Sequence, residues 1–391
     1  MNLDELAIVY EKAGKVFEGV DNDTIKNILN EYYTKKSATK IIEEYKLNVK
    51  PGLFYKDFPP VESGENCPYD NSSMIIDLPS KTSSNYSYSK DVAYCPKCNH
   101  KDSGSCNCQG CLKKIGEEKD KKLRLIQETY EFDDENLVSE DTLSLEDKLY
   151  LAALVRGFID ENLLYVHSLK SNKDKLSPTS EMDIKIMRHL ISRNIIRPHP
   201  NSEIVAFEEG ENFPNSYYIE YVNYQIALEP FDDSYPKMIE RITYPETQPF
   251  FEDRPASLDL WKDVALEESK EYLLYRMKAV GFDFSPGDKT NNILAHILER
   301  YSVSQSCSFI FSAVAYANQW HVEKRVPKFR AANSVITNIE RNSEKAFSEG
   351  WKVKSYGRNW DLPQSQVSKV LYNSILKISD LGFSEVPDEN F

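Results

Sequence analysis

Residues 95–111 read CPKCNHKDSGSCNCQGC and place five cysteines and one histidine in seventeen positions. Structural cysteines usually scatter through an apolar core, where each packs as a small hydrophobe. These sit among Lys, Asn, Ser and Gly and cannot build such a core. Clustered soft donors in so polar a stretch point to a bound metal ion.

Moving outward, Cys95 and Cys98 form a CPKC turn, and Cys67 opens a related stretch, Cys67-Pro68-Tyr69-Asp70. Two such turns separated by a hairpin resemble a zinc ribbon, in which each turn gives two ligands to one tetrahedral metal. This copy departs from the pattern, because Asp70 stands where the second cysteine of the first turn belongs. A carboxylate also ligates zinc, so the resemblance implies Cys67, Asp70, Cys95 and Cys98 as one set. His100, Cys106, Cys108 and Cys111 are left as a second, Cys3His set, with Gly104 and Gly110 supplying tight turns. Another partition joins Cys95-x2-Cys98 to Cys108-x2-Cys111 in a single site and leaves Cys67 and Cys106 spare. Free thiols on a loop are the plain alternative to both. An iron–sulfur cluster fits less well, because it would leave His100 and Asp70 idle. The expected cofactor is therefore zinc, one or two ions, in a structural role. The zinc-deaminase pattern of His-x-Glu followed by Pro-Cys-x-x-Cys is absent, and so is His-Glu-x-x-His.

The chain of 391 residues is long enough for two or three domains, and at 40% hydrophobic and 12% aromatic it can bury a sizeable core. No apolar run reaches the length of a membrane span, and residues 1–20 lack the basic start and apolar stretch of a signal peptide. The expected location is the cytoplasm, where a reducing poise disfavours a disulfide framework built from seven cysteines. The net charge of −14 is unevenly spread. Residues 1–115 carry 15 Lys/Arg against 16 Asp/Glu and residues 318–391 carry 11 against 9, so the middle, 116–317, holds 22 against 37. That middle repels phosphate, and binding to a polyanion would need the near-neutral ends.

Before the cluster, Leu3, Leu6, Ala7, Tyr10, Ala13 and Phe17 share one face of an expected helix over 3–17. A second helix follows, capped by Asp23, with Ile25, Ile28, Leu29 and Tyr32 inward. Ser37 caps a third with Ile41, Ile42 and Tyr45 inward, and Pro51 opens a short fourth carrying Leu53, Phe54 and Lys56. Short helices joined by tight turns over 20–58 resemble the helix-turn-helix unit of bacterial DNA-binding proteins and transposases. The resemblance implies Lys35, Lys36, Lys40, Lys50 and Lys56 as phosphate contacts. A helical cap packed on the rest of the chain explains the same pattern.

Residues 112–124 are rich in lysine and read as a solvated helix or linker. Ser144-Leu-Glu-Asp147 reads as a capping box opening one helix. A second, about 180–194, turns Ile184, Met187, Leu190 and Ile191 inward, and strand-like "EIVAF" and "YYIEYVNYQIAL" follow. Helix, helix and two-stranded flap resemble a winged helix, but Glu203, Glu208, Glu209 and Glu211 give the flap the wrong sign for phosphate and favour a protein partner. His167, His189, His199 and His296 lack ligand spacing. Toward the carboxy terminus, Val303, Cys307, Ile310, Phe311, Val314 and Ala317 form a buried stripe, which makes Cys307 a core residue. Over 328–349, Phe329, Ala332, Ile336, Ile339, Ser343 and Ala346 face inward. Arg330, Ser334, Thr337, Arg341, Lys345 and Ser348 line the opposite face. Gly350 ends that helix, and Lys352, Lys354 and Arg358 alternate with Trp351, Val353 and Tyr356. Basic and hydroxyl groups in one line suit phosphate, although most charged stripes simply face water.

The expected fold is mainly α with small β elements. Its divisions are a helical unit (1–58), a zinc module (59–115), a linker (116–139), an acidic α+β domain (140–250) and a helical carboxy-terminal domain (251–391). The layout resembles proteins of mobile elements or phage defence and implies a non-enzymatic, zinc-containing nucleic-acid-binding or regulatory protein, with DNA as partner. A protein–protein adaptor working through the acidic middle is the second reading. A metal-dependent nuclease is the third, resting on "EDK" at 146–148 with Asp133 and Asp134 upstream. No membrane partner is expected.

Overall fold

A computed structural model describes residues 6–34, 36–81, 92–132, 136–171, 174–389 and 391. Leu3, Lys35, Asp133 and Asp134 lie outside the described residues. The fold is mainly α with three small two-stranded sheets among the described residues. The chain divides into two units, Met1–Lys122 and Leu123–Phe391.

In the first unit, α1 (Asn22–Tyr33) and α2 (Ala38–Glu44) start where side chains cap them. Ser37 accepts from the Lys40 amide as expected, but α1 is capped by Asp21 through the Thr24 amide, two residues before the expected Asp23. Ile28, Leu29 and Tyr32 from α1 and Ile41 from α2 pack with Phe17, Phe54 and Phe58. The Tyr32, Phe54 and Phe58 rings meet edge to face with centroids 4.8–5.9 Å apart. No α-helix forms over 6–17. That segment makes 3-10 turns at Tyr10–Lys12 and Lys15–Phe17, and its backbone pairs with 57–62 instead. The Val9 amide donates to Pro60, Gly14 to Asp57, and Glu62 back to Ala7. The expected fourth helix is likewise a 3-10 turn, Phe54–Asp57. Strands β1 (Val61–Asn66) and β2 (Ser73–Ile76) pair antiparallel, and Tyr94 adds a bridge to Ile75 on one side and to Lys101 on the other. Helix α3 (Gln109–Tyr130) carries the lysine-rich residues 112–124.

The second unit contains β3 (Val138–Ser139), α4 (Leu145–Phe158), α5 (Ser180–Ser192), β4 (Ile196–Pro198), β5 (Tyr224–Ile226) and β6 (Leu228–Glu229). Then come α6 (Tyr235–Thr243), α7 (Gln248–Glu252), α8 (Arg254–Ala279), α9 (Asp288–Leu298), α10 (Val303–Lys324) and α11 (Lys328–Ser348). Short α12 (Gln366–Lys369), a π-helical turn at Val370–Ile375 and α13 (Leu381–Ser384) finish it. The capping box of α4 is present, since Ser144 accepts from the Asp147 amide and Asp147 from the Ser144 amide. Asp147 is fully buried and also meets His189 at 2.7 Å and Arg193 at 3.1 Å. Helix α5 buries Met182 and Ile186 with Met187 and Leu190, so Ile184 and Ile191 stay at the rim. The two-stranded element after α5 pairs Ile196–Pro198 with Tyr224–Ile226. "EIVAF" instead makes a 3-10 turn, Ile204–Ala206.

One core joins α4, α5 and the strands to α8, α12 and the π turn, and so crosses the boundary expected at 250/251. A second core lies among α8, α9, α10 and α11. Cys307 is buried as expected, in the first of these cores, whereas Phe311 and Phe329 are exposed. Phe311 lies at the rim, with Arg276 stacked on its ring at 4.4 Å, and Phe329 sits on the first turn of α11 beyond the packed length. Gly350 follows α11 with φ +63°, a left-handed conformation that glycine adopts without strain. No helix among the described residues is long and apolar enough to cross a membrane.

Candidate metal centre

The first unit builds the same knuckle twice. In Cys67-Pro-Tyr-Asp-Asn71 the Cys67 amide donates to the Ser72 carbonyl at 2.8 Å, and the Asn71 amide donates back to Cys67 at 3.0 Å. In Cys95-Pro-Lys-Cys-Asn99 the Cys95 amide donates to the His100 carbonyl at 2.7 Å, and the Asn99 amide donates back to Cys95 at 3.0 Å. Both knuckles close on an asparagine in the left-handed region, Asn71 at φ 57° and Asn99 at φ 58°. Asparagine tolerates that conformation better than most side chains. The matching bonds make Asp70 the structural counterpart of Cys98.

Cys67, Asp70, Cys95 and Cys98 thereby bring four donor atoms within 4.8 Å of one another. Cys67 Sγ lies 3.5 Å from Cys98 Sγ, and Asp70 Oδ2 lies 3.1 Å from Cys95 Sγ. The amides of Lys97 and Cys98 both point at Cys95 Sγ, at 3.4 Å. Ser72 fixes the carboxylate, since its amide and hydroxyl both donate to Asp70 Oδ1 and leave Oδ2 facing the thiols. Those bonds hold the Asp70 carboxyl well below the ordinary range, the Ser72 hydroxyl contributing most. Burial pushes the Cys98 thiol up to about 12, and its thiol neighbours Cys67 and Cys95 add to this. Donors this close repel one another when ionised, and a divalent cation removes that penalty.

His100, Cys106, Cys108 and Cys111 form the second cluster, again within 4.8 Å. His100 Nδ1 lies 3.6 Å from Cys108 Sγ and 3.3 Å from Cys111 Sγ. Cys108 stands just before α3 and Cys111 lies in its first turn, with the Cys111 amide 3.4 Å from Cys108 Sγ. The Lys101 amide reaches Cys106 Sγ at 3.1 Å and is the main reason that this thiol is held down to about 6.

Around one zinc ion, tetrahedral sulfur ligands stand about 3.8 Å apart, given bonds of about 2.3 Å, and sulfur–nitrogen pairs stand slightly closer. The observed spacings match that size, and three thiols with one imidazole or carboxylate are a donor set zinc favours. Cys95 and Cys98 lie in one cluster and Cys108 and Cys111 in the other, so the single-site partition does not form.

Two residues that the spacing alone did not mark, Ser72 and Tyr69, support the donors, and Gly110, expected in a tight turn, lies in the first turn of α3 instead. The Tyr69 hydroxyl donates to Cys111 Sγ at 3.2 Å, and its ring stands edge-on to His100 at 5.1 Å. Gly110 admits that ring, since a Cβ there would fall 2.4 Å from it. The signal available in the sequence was the repeated Cys-Pro-x-x-Asn.

The expected basic residues are divided between the two units. Lys36 pairs with Glu31 at 2.8 Å and with Glu44, and the two bonds raise its pKa well above the usual lysine range. Lys40, Lys50 and Lys56 are exposed. In the second unit Arg330, Arg341, Lys345, Lys352 and Lys354 are all exposed. Arg341 donates to Asn338 at 2.9 Å, and Lys345 lies 3.9 Å from Glu349 and 5.1 Å over the Trp351 ring. Lys354 covers Tyr356 at 5.4 Å, and Lys289 of α9 reaches Thr337 at 3.4 Å. Arg358 is drawn away from the alternating basic run and pairs at 2.8 Å with buried Glu268. At "EDK", Asp147 is consumed by the α4 cap, the His189 contact and the Arg193 ion pair.

The chain matches no protein-family model, no curated protein and no solved structure.

Proposed function

We propose that the chain is a zinc-stabilised nucleic-acid-binding protein in which two structural zinc ions hold the segments 67–72 and 95–111. The observation that carries the zinc reading is the pair of four-donor clusters, one Cys3Asp and one Cys3His. Four protein donors per cluster complete a tetrahedron, the arrangement of structural rather than catalytic zinc. Among the described residues the apolar cluster at the knuckles buries Cys67, Met74, Ala93 and Cys95, with Ile76 and Cys98 packed against it, and three of these six belong to the Cys3Asp set. So little apolar area cannot order these segments, and metal binding would supply the missing free energy.

Support for nucleic acid comes from the α11 stripe. Arg330, Arg341 and Lys345 are exposed on α11, as are Lys352 and Lys354 after it, and Lys345 and Lys354 lie over the Trp351 and Tyr356 rings. Cations with adjacent aromatic faces suit a phosphate backbone with bases available for stacking. A protein partner is the second reading. It is favoured by the neutralisation of Lys36 within its own unit and by Glu340, Glu344 and Glu349, which share the exposed surface of α11.

Metal analysis of protein purified without chelator, joined to DNA and RNA binding at two salt concentrations, tests both parts. Two zinc ions per chain and a salt-dependent affinity are expected. Less than half an equivalent of zinc contradicts the first part, and a partner captured without nucleic-acid affinity favours the adaptor. Asp70→Cys should slow zinc loss to a chelator; unchanged retention would remove Asp70 from the ligand set.

A further inference from the structure

We infer that the two metal clusters load as one cooperative unit, and that Tyr69 is the positioning residue that couples them. The inference rests on the zinc reading above. Tyr69 lies between two donors of the Cys3Asp cluster, one residue before Asp70 and two after Cys67. Its hydroxyl nevertheless donates to a donor of the other cluster, Cys111 Sγ, and its ring edge rests on a second, His100. Gly110, flanked by Cys108 and Cys111, has no room for a side chain because the Tyr69 ring fills that space. A second link runs through the other knuckle. The His100 carbonyl accepts from the Cys95 amide, which fixes one cluster, while its Nδ1 faces Cys108 and Cys111 in the other. Only Asn99 separates Cys98 of the first cluster from His100 of the second.

Ordering either cluster therefore fixes backbone that the other needs. A metal at Cys67, Asp70, Cys95 and Cys98 sets the first knuckle, which aims the Tyr69 hydroxyl at Cys111, and sets the second knuckle, which orients His100. A hydrogen bond to a thiolate strengthens as the sulfur gains charge, so the reverse direction acts through the same contact. Coupling of this kind is reciprocal, and typical values change affinity by about 5–150-fold.

Native mass spectrometry of the full-length protein, stripped with chelator and given one equivalent of Zn2+, reads the coupling as the population carrying a single ion. The wild type should show mainly empty and doubly loaded chains, with the second ion binding at least about 5-fold tighter than the first. Tyr69→Phe should still take two ions at saturation but show a raised one-ion population. Gly110→Ala, which displaces the ring and leaves every donor in place, should do the same. A purely local packing role for Tyr69 would lower total uptake without changing how it is distributed. Binomial populations in the wild type, or an unchanged distribution in both variants, overturn the coupling while leaving two-zinc binding intact. No uptake at all overturns the zinc reading and the coupling with it.

Discussion

The knuckles at 67–111 and the helical second unit solve the same problem with different materials. The second unit orders its chain by burying side chains such as Leu154, Tyr224, Ile310 and Leu371 in two large cores. Among the described residues the knuckles bury four small or sulfur-bearing side chains, with Ile76 and Cys98 packed against them, and otherwise have turn hydrogen bonds and two clusters of four side chains that could each hold a metal ion. Where apolar area is scarce, a cation can supply the ordering free energy, and the local fold then stands or falls with it. Where apolar area is plentiful, stability is spread over many contacts, and each single loss is partial.

The sharpest break between the two regions should come from Cys95→Ser and Cys108→Ser. Each removes a donor, so residues 67–111 should become sensitive to trypsin at Lys97 and Lys101, while the thermal transition of the second unit stays in place. A smaller, graded effect is expected from Ile310→Ala. This fully buried side chain should cost about 2–5 kcal/mol in urea unfolding of the second unit, equally with or without chelator. Smaller again is Asp147→Ala, which removes the α4 cap and the partner of His189 and the half-exposed Arg193. It should cost about 1–2 kcal/mol, most of it the lost cap because the ion pairs are partly screened by solvent. Replacing Arg330, Arg341 and Lys345 together with Gln should leave stability within about 0.5 kcal/mol of wild type. The same triple variant should make the salt dependence of nucleic-acid binding shallower by up to about three phosphates' worth. An unchanged slope would leave the stripe as a solvated face.

The same contrast governs what could be read from the sequence. Donor identity and knuckle spacing are local properties, so the two clusters were legible from Cys67-x2-Asp70, Cys95-x2-Cys98 and the residues after them. In the second unit α4 was legible from its cap and α5, α10 and α11 from apolar stripes at helical spacing, whereas α6 to α9 were not marked. Tertiary choices were not legible. Leu6, Tyr10, Ala13 and Phe17 fit a helix, yet the backbone of this segment pairs with Asp57, Pro60 and Glu62, and nothing local announces that pairing. Phe311 and Phe329 continue their stripes in sequence, but Phe311 falls at the rim of the packed face of α10 and Phe329 precedes the first buried residues of α11, Ala331 and Ala332. Lys36 looks like a free cation until the fold brings Glu31 and Glu44 to it. The reach of Tyr69 from one cluster to the other spans 42 positions to Cys111, beyond any local pattern.

Amide hydrogen exchange on the full-length protein, before and after removal of zinc by chelation, tests most directly whether metal rather than apolar burial orders the knuckles. Protection of the Cys67, Asn71, Cys95 and Asn99 amides should be lost on chelation and restored by Zn2+, while α4, α8 and α10 keep theirs throughout. Knuckle amides equally protected with and without metal would contradict the account.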